Sequence, residues 1–125
     1  MSTQPLSSCE LKNGLSLLCQ DRSKKIAADR WSVCVDIEIT IPVEKKWFQT
    51  HGMDDEKFQQ IVSVLGDEVV FSQKRERHFI SEDVKSQVVE KICTNAIEMA
   101  KQYCSSDDFA ARFILKTFAN RQQHR

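Results

Sequence analysis

Asp36 and Glu38 stand two residues apart in the stretch Trp31-Ser-Val-Cys-Val-Asp-Ile-Glu-Ile-Thr-Ile-Pro-Val43. Side chains alternate faces along an extended strand, so both carboxylates point the same way. Paired carboxylates can carry acid–base chemistry. On an open sheet face they are more simply solvated groups, paired across strands with Lys74, Arg75 or Arg77. Cys34 shares their face and is the cysteine expected to be accessible. A thiol becomes a nucleophile only where an electropositive setting lowers its pKa, whereas Cys19 and Cys93 read as small core residues. The histidines, His51, His78 and His124, fall in a loop, at a strand end and in the tail. No His/Cys spacing matches a zinc pattern, so no metal site is expected. The three glycines, Gly14, Gly52 and Gly66, do not cluster, which excludes phosphate-cradling and dinucleotide loops. No catalytic residue or cofactor is assigned, and the chain is not expected to be an enzyme.

A second constellation is basic. Lys74-Arg-Glu-Arg-His78 joins Arg22, Lys24, Lys25, Arg30, Lys45 and Lys46. With Trp47 and Phe48 as a stacking platform, such a surface could bind RNA or single-stranded nucleic acid through a strip including Arg30 and Arg75. Lysine and arginine also guard exposed strand edges against aggregation. Asp21-Arg-Ser23 resembles only the Asp-x-Ser portion of the cyclic-dinucleotide-binding PilZ motif. The preceding Arg-x-x-x-Arg and the following Gly are absent, so it carries no such reading.

The 125 residues hold 18 lysines and arginines against 18 acids, a net charge of zero. No global field therefore favours nucleic acid or an acidic membrane. Charge is still uneven: residues 53–68 carry a net −4 and residues 112–125 a net +4. The five cysteines are scattered with no Cys-x-x-Cys pair, which reads as reduced thiols in the cytoplasm. No signal peptide and no membrane-spanning apolar run is read from the sequence.

The elements that must position these residues follow from periodicity. The odd positions of 31–43 are apolar and nearly all β-branched, which predicts a long strand covered on one side. Leu15 to Asp21 predicts a first strand, joined to it by a wide loop over 22–30. Both apolar faces sit at odd positions, so opposed partners must be odd with odd, with Cys19 beside Val33 or Val35. Cys19 and Cys34 then point to opposite faces and form no disulfide. Residues 44–52 read as a loop with Trp47 and Phe48 exposed. Asp54 or Asp55 caps a short helix with Phe58, Ile61, Val62 and Leu65 on one face, stopped by Gly66. Residues 68–80 read as one long strand with a wet middle, Val69, Phe71 and Phe79 sharing a parity. Ser81 is the expected cap of a principal helix whose stripe runs Val84, Val88, Ile92, Ala96, Met99/Ala100 and Tyr103. Phe109, Phe113, Ile114 and Phe118 mark a last helix.

The order is β-β-α-β-α-α. This is an α+β fold, an antiparallel sheet of three to four strands with helices packed on one face. Residues 1–125 are read as one domain, loose at 1–10 and 121–125. The expected role is an interaction or self-associating domain that binds a protein partner, or a second copy, through the open sheet face or an edge. The candidate surface is Asp36, Glu38, Trp47, Phe48, Lys74, Arg75, Arg77 and His78. Nucleic-acid binding and a small-ligand-binding regulatory role, in a deep pocket near Trp47, are the alternatives.

Overall fold

The computed structural model describes residues 5–123, with side chains from Ser8 to Gln123. Met1 to Gln4, His124 and Arg125 lie outside the described residues. The strands are β1 (Pro5–Glu10), β2 (Ser16–Asp21), β3 (Lys24–Ala27), β4 (Arg30–Pro42) and β5 (Glu68–Ser81). The helices are α1 (Asp55–Leu65), α2 (Lys85–Tyr103) and α3 (Asp107–Gln123), with 3₁₀ turns over Lys45–Phe48 and Glu82–Val84. One antiparallel five-stranded sheet carries these helices on a single face, which makes the fold α+β.

β4 is the centre of the sheet. Val33, Val35, Ile37, Ile39 and Ile41 are all fully buried, while the even positions between them stay half-buried or exposed. β5 pairs with β4 from Arg30↔Ser81 to Pro42↔Glu68. β2 pairs with Val35–Ile39 and β3 with Arg30–Ser32. β2 and β3 therefore run in succession along the side of β4 that β5 leaves open. β1 pairs outside β2, and β3 pairs with β4 alone among the described residues, so β1 and the short β3 form one margin of the sheet and β5 the other.

The odd-with-odd register holds. Leu17 opposes Ile39 and Cys19 opposes Ile37, one repeat further along β4 than the expected Val33 or Val35. Cys19 and Cys34 are separate thiols on opposite faces. β3 is a correction to the expected loop over 22–30. At the β2–β3 kink the Asp21 carboxylate accepts from the Ser23 N–H at 2.9 Å. The Ser23 hydroxyl accepts from the Cys34 N–H at 3.1 Å. The kink thus fills the ladder position that an irregular residue would leave empty. The ends are also more ordered than expected: residues 5–10 pair as β1 and α3 extends to Gln123.

α1 begins and ends as its sequence dictates. Asp54 caps it by accepting from the Lys57 N–H at 2.7 Å, and Gly66 closes it at φ 82°. Ser81 does not cap α2; a 3₁₀ turn intervenes and its hydroxyl makes no cap hydrogen bond. Val89, Ile92, Cys93, Ala96 and Ala100 form the buried stripe of α2. Its expected ends, Val84 and Tyr103, are 40% and 69% exposed, Val84 lying in the 3₁₀ turn before the helix. α3 buries Ala110, Ala111, Ile114 and Phe118, and sets Phe109 and Phe113 edge-on to Phe71 at 5.4 and 5.5 Å.

Candidate functional site

The open sheet face holds most of the carboxylates that could do chemistry. Asp36 opposes Gln20 on β2 and Lys74 on β5, and its carboxylate is ion-paired with Arg22. Glu38 opposes Leu18 and Ser72. The two acids share a face as expected, but Asp36 is already engaged by a cation. Cys34 lies between them and the bulge described below, opposite Glu76. Burial, then the Asp36 and Glu76 carboxylates, push its thiol above the ordinary 9.0, against the opposing pull of Lys74 and Arg22. At neutral pH it stays protonated, which is the wrong state for a nucleophile.

His78 accepts or donates to the Ser32 hydroxyl at 2.9 Å through Nδ1, and its Nε2 lies 3.7 Å from Glu76. Serine, histidine and acid in that order invite comparison with a hydrolytic triad. The acid contact is too long for a hydrogen bond. The His78 and Glu76 side chains are 61% and 47% exposed on the open sheet face. Such a site excludes no water and presents no concave surface for a substrate. His51 lies elsewhere, with Nε2 3.0 Å from Asp108 at the start of α3. Among the described residues no group of three or more His, Cys, Asp or Glu converges as a metal site.

Trp47 and Phe48 do not belong to any surface. They are 3% and 2% exposed. The Trp47 indole donates to the Pro42 carbonyl at 2.8 Å, and Phe48 meets Phe58 edge-on. The turn carrying them is packed under α3, so the stacking platform expected from the sequence is instead part of the core. The hollow bordering Trp47, about 300 Å³, is lined by residues such as Asn13, Ser16, Thr40 and Lys46. A larger one, about 340 Å³, lies between α2 and the end of β2, over Val89, Cys93 and Ile97.

The basic cluster divides between faces. Lys74 opposes Asp36 on the open face. Arg75 and Arg77 oppose Val35 and Val33, so they project on the helix side. There they line a groove of about 150 Å³ with Ile92, Asn95 and Ala96 of α2. Arg75 donates to the Gln73 side chain and Arg77 to the Glu76 carbonyl; neither pairs with a carboxylate among the described residues.

Sequence reasoning missed Phe79. Between the pairs Trp31↔Ile80 and Val33↔Arg77, β4 has only Ser32 while β5 has both His78 and Phe79. This bulge shifts the parity of the strand beyond it. Ile80 takes the core position opposite Trp31, and Phe79 is left 74% exposed at φ 58°. Among the described residues it is the one non-glycine with positive φ. The available signal was the adjacent pair Phe79-Ile80, because two successive apolar residues cannot both face one core.

The fold and the site together define a two-layer α+β domain with a polar open sheet face and a long, partly basic edge that is unpaired among the described residues. Compared with protein-family models, curated proteins and solved structures, the chain finds no significant match. No helix among the described residues is long and apolar enough to cross a membrane.

Proposed function

We propose that this protein is a protein-interaction domain that binds a partner chain along the outer edge of β5, with Phe79 as its anchor. The observation that carries this reading is Phe79, held at φ 58° and 74% exposed. A bulky side chain in the left-handed region costs on the order of 1–3 kcal/mol, and such strain concentrates at functional sites. Leaving a phenylalanine in water forgoes a further roughly 1.5–3 kcal/mol of burial. A partner that covers Phe79 recovers the second term and gives the first a purpose. β5 supplies the rest. It is 14 residues long and, among the described residues, pairs with β4 alone, so alternate N–H and C=O groups point outward along its free edge. The thiols of Cys9, Cys19, Cys34 and Cys104 are unbridged, which fits a reducing compartment, and a cytoplasmic setting belongs to this proposal.

Nucleic-acid binding has less support, since Arg30 and Lys74 lie on one face and Arg75 and Arg77 on the other. A continuous basic strip needs them together. The edge reading is tested by placing the photocrosslinker benzoylphenylalanine at position 79, and separately at Lys116 on the far helix, in cells of the source organism. Protein adducts specific to position 79 are expected. Adducts at neither site, or equally at both, refute the edge as a binding surface.

A further inference from the structure

We propose that the β5 edge receives an extended acidic segment of another protein, which adds to the sheet as a strand and sets alternate carboxylates against Arg75 and Arg77. This rests on the edge reading above and deepens it by naming the partner's chemistry. A strand laid beside β5 follows the same two-residue alternation, so its side chains on the helix side fall opposite Gln73, Arg75 and Arg77. That row is cationic and, among the described residues, has no acidic partner: Arg75 donates to the Gln73 side chain and Arg77 to the Glu76 main-chain carbonyl. The groove between this row and Ile92, Asn95 and Ala96 gives about 150 Å³ beside the guanidinium groups, room for short carboxylate side chains. Guanidinium groups bind carboxylates with two parallel hydrogen bonds, so the recognition is directional as well as electrostatic.

The opposite row, Ser72, Lys74, Glu76 and His78, is mixed in charge and sets little preference. The acidic requirement therefore falls on one face of the incoming strand. A residue beyond its end meets Phe79, where an apolar side chain fits.

The same row weighs against a second copy of the chain. Two β5 edges pairing antiparallel about Arg75 would place Lys74 opposite Glu76 twice on the open face. On the helix face they would gather Arg75 and Arg77 from both copies into one cluster of like charge, which opposes pairing.

The experiment uses the full chain and a fluorescein-labelled ten-residue peptide with glutamate at every second position and valine or threonine between. Saturable binding by fluorescence anisotropy is expected. It should weaken at least about tenfold in the Arg75→Glu/Arg77→Glu double variant, whose exposed positions leave folding intact, as circular dichroism checks. It should also weaken between about 50 mM and about 500 mM salt, over which screening shortens severalfold. Methylating the alternate backbone nitrogens that would face β5 should abolish it, with both registers tested.

Four results overturn the proposal: no binding, equal binding of a lysine-for-glutamate peptide, indifference to N-methylation, or indifference to the double variant. A dimer in light scattering whose formation requires β5, or displacement of the peptide by a short RNA, assigns the edge to a different occupant and also overturns it. A position-79 adduct whose contacting segment lacks acidic residues would keep the edge reading while ending this one.

Discussion

Phe79 places a cost on the free protein that a simpler residue would remove. Asparagine tolerates the left-handed region, and it has no large apolar surface to leave in water. Phe79→Asn should therefore raise unfolding free energy by about 0.5–1 kcal/mol, where an average substitution lowers it by about 1 kcal/mol. Urea denaturation measures it, and a loss of stability would mean that Phe79 is packed rather than presented. Cys34 and Cys104 give a second residue-scale expectation. Burial raises both thiols above the ordinary 9.0, with Asp36 and Glu76 adding to the effect at Cys34. The folded chain then keeps protons that the unfolded chain has released. Stability from this source is fully present below about pH 9 and falls as pH rises through the raised values. Denaturation midpoints at pH 8, 9 and 10 should fall less steeply in a Cys34→Ser/Cys104→Ala variant than in the parent. Equal slopes would show that other groups govern the alkaline limb.

At the scale of elements, the irregular joints are built from side chains that complete main-chain hydrogen bonds. Asn13 is the clearest case. Its carbonyl oxygen accepts from the Leu15 N–H, and its amide donates to the carbonyls of Cys104 and Ser106 at 2.9 and 3.0 Å. It fastens the β1–β2 turn to the corner between α2 and α3. Asn13→Ala leaves the partly buried Cys104 carbonyl and the exposed Ser106 carbonyl without this donor and should cost about 1–3 kcal/mol in thermal or urea unfolding, chiefly through Cys104. A change under about 0.3 kcal/mol would mean that water replaces the amide without loss. None of these latches was legible in the sequence, because each joins residues far apart in the chain or depends on a kink. The elements with one buried face were legible: β4, β2, α1 and most of α2 follow from periodicity. β3 was not, since all four of its residues are exposed and carry no alternation. Trp47 and Phe48 read as a loop pair because their burial is imposed by α3, which lies some sixty residues later. Of the expected surface, Asp36, Glu38, Lys74 and His78 do share the open face. Arg75 and Arg77 were separated from them by strand parity, which could have been read, and Phe79 by a bulge, which the pair Phe79-Ile80 signals without saying which of the two is left outside.

For the molecule as a whole, the decisive asymmetry is that the core lies on one side of the sheet and that its margins differ, β5 being one long strand and β1 and β3 two short ones. β4 is paired along both sides and its inward side chains are fully buried, so its amides open only when the domain unfolds. β5 has 14 residues against 13 in β4 but, among the described residues, is paired on one side alone, and its stretch from Lys74 to Phe79 is exposed. Native-state hydrogen exchange should therefore show the slowest amides in β4 and alternation along β5, protected where the N–H meets β4 and fast where it faces outward. Binding at the edge should slow the outward set selectively and leave β1 and β3, on the opposite margin, unchanged. Because the protection comes from new main-chain hydrogen bonds, it should appear with the acidic peptide and vanish with its N-methylated form. If the bound peptide instead protects helix amides of α2 and leaves the outward set of β5 fast, the ligand lies in the arginine groove without joining the sheet. That pattern would replace strand addition by side-chain capture as the mode of binding.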